Sequence, residues 1–232
     1  AASACGKVMR TLNLTLLTDL YEITMMQGYF ETGKQDMVVF DAFYRENPCH
    51  GGYAIAAGLE QVIEYIKTLQ FTPDDIRYLR SLNMFNEEFL KYLSNFRFSG
   101  SIYSVPEGTV IFPREPIIKV VAPSMEAQLL ETAILNIIKH QCLIATKAAR
   151  VCHAAQNDGV MEFGLRRAQG PDSGIYGARA AVIGGCCGTS NVLAGQLFNI
   201  PVKGTHAHSW IMSFPDEYTA FKTYARLYPN AC

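Results

Sequence analysis

Nowhere in this 232-residue chain is there a run of the roughly 18 apolar residues that a membrane-spanning helix requires. The longest apolar helical stretch is interrupted by Lys139, His140, Lys147 and Arg150. Excess charge is also lacking: 20 Lys+Arg stand against 21 Asp+Glu, leaving a net charge of −1. A nucleic-acid-binding role draws on a basic face, and this balance supplies none. Nor is there a Cys-x-x-Cys pair among the seven cysteines, at 5, 49, 142, 152, 186, 187 and 232. The adjacent Cys186 and Cys187 suit neither a zinc clip nor a disulfide, so the thiols are expected to act as small apolar groups in a reducing, cytoplasmic compartment. Leu12–Leu17 is too short and too soon followed by Asp19 and Glu22 to read as a signal peptide. Met9 is read as a natural start, with residues 1–8 as a leader. What remains, 49% apolar and 18% charged, is an ordinary folded chain long enough to bury a core.

Along the chain, residues 15–33 read as an amphipathic helix capped by Thr15 or Thr18 and stopped by Gly33. Met37–Tyr44 is a β-branched and aromatic strand, with Phe40, Phe43 and Tyr44 assigned to the core. Residues 54–69 have helical period. Thr72, Pro73 and Asp75 mark a helix start, and Asn86-Glu87-Glu88 opens another helix to about Asn95. Ile102–Val105, Thr109–Phe112 and Ile117–Val121, punctuated by prolines and Gly108, form an antiparallel β unit. A helix from Met125 to about Asn157 contains no Gly or Pro. Beyond Gly159, strands 160–165 and 201–205 alternate with helices at 176–183, 191–198 and 216–228, the signature of parallel β/α architecture. The fold class is α/β: an N-terminal α/β domain over 9–121, then the first units of an irregular β/α barrel over 122–232.

In such folds the polar residues at the C-terminal ends of strands line the site. Three clusters qualify. In Glu162–Asp172, Arg166 and Arg167 suit a phosphate or carboxylate, or else pair on the surface with Glu162 or Asp172. Gly184–Asn191 is a glycine-rich turn whose Thr189/Ser190 pair caps the next helix; an anion at that helix start is the sharper alternative. Gly204–Trp210 holds His206 and His208 at i, i+2, on one face if the segment is a strand. They serve a metal, a general base or nucleophile, or divide into one core and one surface histidine. Two histidines alone make a poor metal site, and no metal ligand is assigned. Tyr21, in a capped first turn, is a candidate for exposure.

Eight stretches carry a resemblance: LLTDLYEITMMQGYF (16–30), GGYAIAAGLE (51–60), PEGTVIFPREPI (106–117), QLLETAILNII (128–138), IATKAAR (144–150), EFGLRRAQGPD (162–172), GTSNVLAG (188–195) and GTHAHSWIMSFP (204–215). In this order they resemble the nicotinate phosphoribosyltransferases, a type II phosphoribosyltransferase family. The resemblance implies joining of nicotinate to 5-phosphoribosyl 1-diphosphate, with ATP hydrolysis coupled through a phosphohistidine, as the first step of NAD salvage from nicotinic acid. By motif position the phosphohistidine is His208, with His206 a bystander. Thr205 matches a nicotinate contact. Tyr21 matches a tyrosine that reaches the pyridine ring across a dimer interface, and Phe163 matches the opposite ring face. Arg166 is the implied contact to the phosphoribosyl substrate. Ser190 stands where nicotinamide-specific relatives carry Asp; a carboxylate there would repel nicotinate, so Ser190 favours the acid.

The same resemblance implies ATP and Mg²⁺ as cofactors, a homodimer with shared sites, and no nucleic acid or membrane as partner. Family chains continue past Pro229 into further phosphate-binding segments, where the metal ligands and the arginine for the nicotinate carboxylate are expected. A full barrel takes about 250 residues, so residues 124–232 should form about three or four of its units. Two alternatives follow: a non-catalytic pairing module, and a nicotinamide-specific relative.

Overall fold

The computed structural model describes residues 13–229. The Met9 start, Cys5 and Cys232 lie outside the described residues. Helix α1 (Leu20–Glu31) begins later than expected because residues 14–18 close a tight turn, with the Leu17 and Thr18 N–H groups bonded back to Leu14 and Leu16 at 2.9 Å. Thr15 caps nothing: its hydroxyl accepts from the Gln70 N–H at 3.0 Å, and Asp19 occupies the N-cap position. Gly33, at φ +66°, ends the helix as expected.

Strand β1 (Met37–Ala42) is followed by β2 (Ala54–Ile55), α2 (Leu59–Thr68), α3 (Pro73–Ser81) and α4 (Glu87–Ser94). The expected helix over 54–69 is thus part strand. Ala54 and Ile55 are buried and pair with Ile111 and Val110, and Gly58, at φ +107°, breaks the helical path before Leu59. Helix α3 starts with the expected capping box, the Thr72 hydroxyl accepting from the Asp75 N–H while Asp75 accepts from the Thr72 N–H. Asn86 caps α4.

The β unit comprises β3 (Ser101–Ser104), β4 (Val110–Ile111) and β5 (Ile118–Pro123). It is antiparallel, but divided: β5 is the centre of a β1-β5-β3 sheet, while β4 pairs with β2. Helix α5 (Ser124–Ala155) leaves β5 directly and crosses the whole structure. Its first half, including Leu129, Leu130 and Ala133, packs into the main core with Ile23, Met26, Phe89, Leu90 and Ile118. Its second half packs through Ala145 and Ala148 against α6 (Pro171–Ile183). Small side chains allow that close approach, and the buried helical stripe is what holds so long a helix in place. Phe40 packs at the core edge, but Phe43 lies past the end of β1 and is exposed.

The parallel part is more irregular than expected. Strand β6 (Met161–Glu162) is only two residues long because the chain turns at once, the Arg167 N–H bonding the Gly164 carbonyl at 2.8 Å. Helix α6 starts at Pro171, five residues before the expected Tyr176, with proline at its first position. Strand β7 (Gly188–Thr189) precedes α7 (Val192–Phe198), which is capped by Asn191 and not by the Thr189/Ser190 pair. The expected strand 201–205 reduces to one parallel bridge between Val202 and Thr189. Helices α8 (His208–Met212) and α9 (Glu217–Leu227) follow, the latter capped by Asp216. No helix among the described residues is long and apolar enough to cross a membrane. Cys142, Cys152, Cys186 and Cys187 are free thiols; Cys142 and Cys186 are buried, the Cys142 sulfur accepting the Ala57 N–H at 3.2 Å, whereas Cys187 is exposed.

Candidate functional site

Strands β6 and β7 run parallel, with Glu162 opposite Thr189, and Val202 extends the same ladder beyond Thr189. The Ser190 N–H bonds the Glu162 carbonyl and the Lys203 N–H bonds the Thr189 carbonyl, each at 3.0 Å. Because all three segments point the same way, the residues after each emerge at one edge: 163–167, 190–191 and 203–208. Phe163, Arg166, Ser190, Thr205 and His208 therefore leave the ladder on the same side.

The Glu162 side chain braces this edge. It accepts the Thr189 hydroxyl at 2.6 Å with one oxygen and the Gly164 N–H with the other. Neither Arg166 nor Arg167 forms an ion pair with Glu162 or Asp172. Both guanidinium groups are exposed on the turn at Leu165–Arg167, next to the exposed Phe163. Such unpaired cations at a strand end suit an anionic ligand.

The two histidines are not on a strand. His206 sits in an irregular segment, half-buried, with its ring 5.3 Å from Phe221 and 5.1 Å from Tyr224. His208 is the first residue of α8 and is exposed. Packing on α9 separates them, so they cannot act as a same-face metal pair, and only His208 is open to a ligand. Thr205 is exposed beside them, its hydroxyl 3.4 Å from the His206 carbonyl.

Tyr21 lies elsewhere in the chain. It lines a cleft of about 490 Å³ with Asp19, Phe43, Arg45, Glu131 and Lys139, which includes none of the strand-end residues. Its hydroxyl approaches Glu131 at 3.3 Å. Partial burial and the nearby Glu131 and Glu22 carboxylates raise the Tyr21 pKa. Behind it Glu22 is fully buried, accepting the Thr132 N–H at 3.0 Å and the Thr132 hydroxyl at 2.9 Å, with the Thr18 hydroxyl on its other oxygen. Burial pushes its pKa up to about 7, against the hydrogen bonds from Thr132; Glu131 and Asp19 add to the rise.

Three features escaped the sequence reading. Glu22 is a first-turn acid of α1 that is nonetheless buried, and its helical spacing to the buried Met26 is the signal for it. His140 lines a second cleft of about 430 Å³ with Glu162, Arg167, Gln169 and Ser173. Arg179, on α6, is held by Glu107 and Glu60, and no local signal marks it. Among the described residues no group of three or more His, Cys, Asp or Glu is arranged to hold a metal ion.

Residues 16–139 match the family model of the nicotinate phosphoribosyltransferase N-terminal domain. A nicotinate phosphoribosyltransferase of Mycobacterium tuberculosis is 47% identical over 214 residues, covering 92% of this chain and 46% of that protein. One from Bacillus subtilis is 49% identical over 219 residues, 94% of this chain and 45% of the relative. The chain thus spans less than half the length of the curated relatives it matches. Among solved structures, human nicotinic acid phosphoribosyltransferase superposes with a TM-score of 0.79 at 38% identity, covering 85% of this chain and 40% of that one.

Proposed function

The chain belongs to the nicotinate phosphoribosyltransferase family, and on that premise we propose that it serves the joining of nicotinate to 5-phosphoribosyl 1-diphosphate. The products are nicotinate mononucleotide and diphosphate, with ATP cleaved alongside to ADP and phosphate. The observation that carries this reading is the common edge at which Phe163, Arg166, Ser190, Thr205 and His208 leave three parallel segments.

In this reading Arg166 neutralises the phosphoribosyl substrate, its exposed guanidinium having no ion-pair partner among the described residues. Phe163 offers a ring face to the pyridine, and Tyr21 of a second protomer closes the other face, since Tyr21 lines a separate cleft of its own chain. Thr205 hydrogen-bonds nicotinate, and neutral Ser190 admits the carboxylate that an acidic side chain would repel. His208 takes the γ-phosphoryl group of ATP on a ring nitrogen; ADP leaves and the new charge biases the edge toward its substrate-bound form. Hydrolysis of the phosphohistidine returns free phosphate. Mg²⁺ would accompany the ATP and diphosphate oxygens, its protein ligands expected in the family's segments past Pro229. A homodimer with shared sites, a cytoplasmic location, and a division into units 9–121 and 122–232 complete the proposal.

The test uses γ-labelled ATP. The parent and a His206→Ala variant should take up acid-labile phosphate, and His208→Ala should not; uptake by His208→Ala would overturn the assignment. Turnover of nicotinate by the purified protein separates catalysis from a non-catalytic pairing role, and a preference for nicotinamide would favour the amide-specific alternative.

A further inference from the structure

Where α6 ends, the chain lies along one face of α5. Gly184 packs against the Ala145 carbonyl and the Ala148 Cβ. Gly185 packs on the next turn of the same helix: a Cβ placed on it would stand 3.4 Å from the Cys152 Cβ and 3.5 Å from the Cys152 Sγ. Ala145, Ala148 and Cys152 follow at helical spacings of three and four and so form one stripe. Two successive glycines, the second at φ +109°, let the backbone follow that stripe closely. The next residue, Cys186, enters a small buried cluster with Ala148 and Ala181, and Cys152 packs against that cluster. The Cys152 and Cys186 thiols are hydrogen-bonded to each other. Cys186 is buried and Cys152 half-buried. Cys187 faces another way: it is exposed, its N–H bonds the Val160 carbonyl at 2.8 Å, and its sulfur lies against Gly159.

We propose that Cys152 and Cys186 form a modification site, a dithiol that a peroxide converts reversibly into a disulfide within one chain. The peroxide meets the half-buried Cys152 first. Its O–O bond breaks, one oxygen passes to the Cys152 sulfur as a sulfenic acid, and the other leaves as water. The Cys186 sulfur then attacks the Cys152 Sγ: an S–S bond forms, the S–O bond breaks, and the Cys186 proton leaves with the hydroxyl as a second water. Cys186 therefore needs to reach only Cys152, not the oxidant. Burial, with Cys152 beside it, pushes the Cys186 pKa up to about 12, so it waits as a thiol and does not compete for the peroxide. The new bond fastens the end of α5 to the segment that enters β7, and so stiffens the strand that leads to Ser190. A reducing compartment would restore both thiols, as it does for transient, sensing disulfides. The inference does not rest on the proposed reaction.

The experiment treats the purified protein with hydrogen peroxide, alkylates the remaining thiols and digests with trypsin without reduction. Material of single-chain mass should yield peptide 151–166 joined to peptide 180–203, short of two hydrogens, and dithiothreitol should separate them. Cys186 and Cys187 share a tryptic peptide, so variants decide between them. The link should persist in Cys187→Ser and vanish in Cys186→Ser, where Cys152 should instead accumulate as the sulfinic acid. Hydrogen exchange of the backbone amides at 187–190 should slow at least threefold in the oxidised parent and return to its starting rate on reduction. Absence of the linked peptide from the parent, a link that survives Cys186→Ser but not Cys187→Ser, or unchanged exchange at 187–190 would overturn the proposal.

Discussion

Arg179, in α6, meets Glu107, in the turn before β4, as a fork on a carboxylate: Nη1 donates to one oxygen at 2.9 Å and Nη2 to the other at 2.6 Å. Glu107 also accepts the Gly58 N–H at 2.5 Å, and Arg179 reaches Gln141 at 3.2 Å and Glu60. One guanidinium thus ties together the β4 turn, the start of α2, α5 and α6. Burial works to raise the Glu107 pKa, but the hydrogen bonds and charge of Arg179 outweigh it and hold the carboxyl below the usual range. Removing one partner leaves the other charge largely buried. Arg179→Leu and Glu107→Gln should each cost about 2–4 kcal/mol in denaturant unfolding, with a double mutant costing clearly less than the sum.

Glu22 should make stability fall as pH rises. Its folded pKa is raised to about 7 while the unfolded value is ordinary, near 4.5. Between these the folded state holds more protons, so stability is greatest below about pH 4.5 and is lost as pH climbs through 7. Glu22→Gln keeps an acceptor for Thr132 and a donor for Thr18. Relative to the parent it should gain about 1–3 kcal/mol between pH 5 and 8. Parallel pH profiles of melting temperature for the two proteins would measure this, and identical slopes would contradict it.

Ser190→Asp should reverse the choice between acid and amide. Its N–H is anchored on the Glu162 carbonyl at 3.0 Å, so a new carboxylate would be held at the strand-end edge. The nicotinate-to-nicotinamide ratio of kcat/KM should drop by roughly tenfold or more.

Shared sites predict complementation. Tyr21→Ala and Phe163→Ala should each lose most activity alone. Mixed after dissociation, they should recover up to about a quarter of the parental rate, because half the dimers then carry one site with both rings intact. No recovery would mean that Tyr21 acts within its own chain.

Gly184 closes α6 where it meets α5, and an added Cβ would run into the Ala145 carbonyl oxygen and the Ala148 Cβ. Gly184→Ala should cost about 1–3 kcal/mol through overpacking, although its φ of −74° suits any residue. Thermal unfolding would show the loss.

The boundaries that were legible are those written within one helical turn. Thr72, Pro73 and Asp75 specify the start of α3, Asn86 that of α4, and the absence of Gly and Pro the span of α5. The family motifs were equally plain, because they are contiguous. Boundaries failed where a distant segment decided them. Thr15 was spent on the Gln70 N–H and not on a cap, and Ala54-Ile55 was drawn into a strand by Val110-Ile111.

The sequence by itself determined the α/β class, the strong caps, the long central helix and the clusters at 162–172, 188–191 and 204–208. Tertiary structure alone decided that Glu162 braces Thr189, that packing on Phe221 and Tyr224 sequesters His206 while His208 stays open, that Glu22 is buried, and that Arg179 finds Glu107. Caps and helical periods act over three or four residues and leave a local record. An ion pair 72 positions apart, or a two-residue strand, exists only because folding closes the intervening chain, and its cost and gain are recorded nowhere in the neighbouring residues.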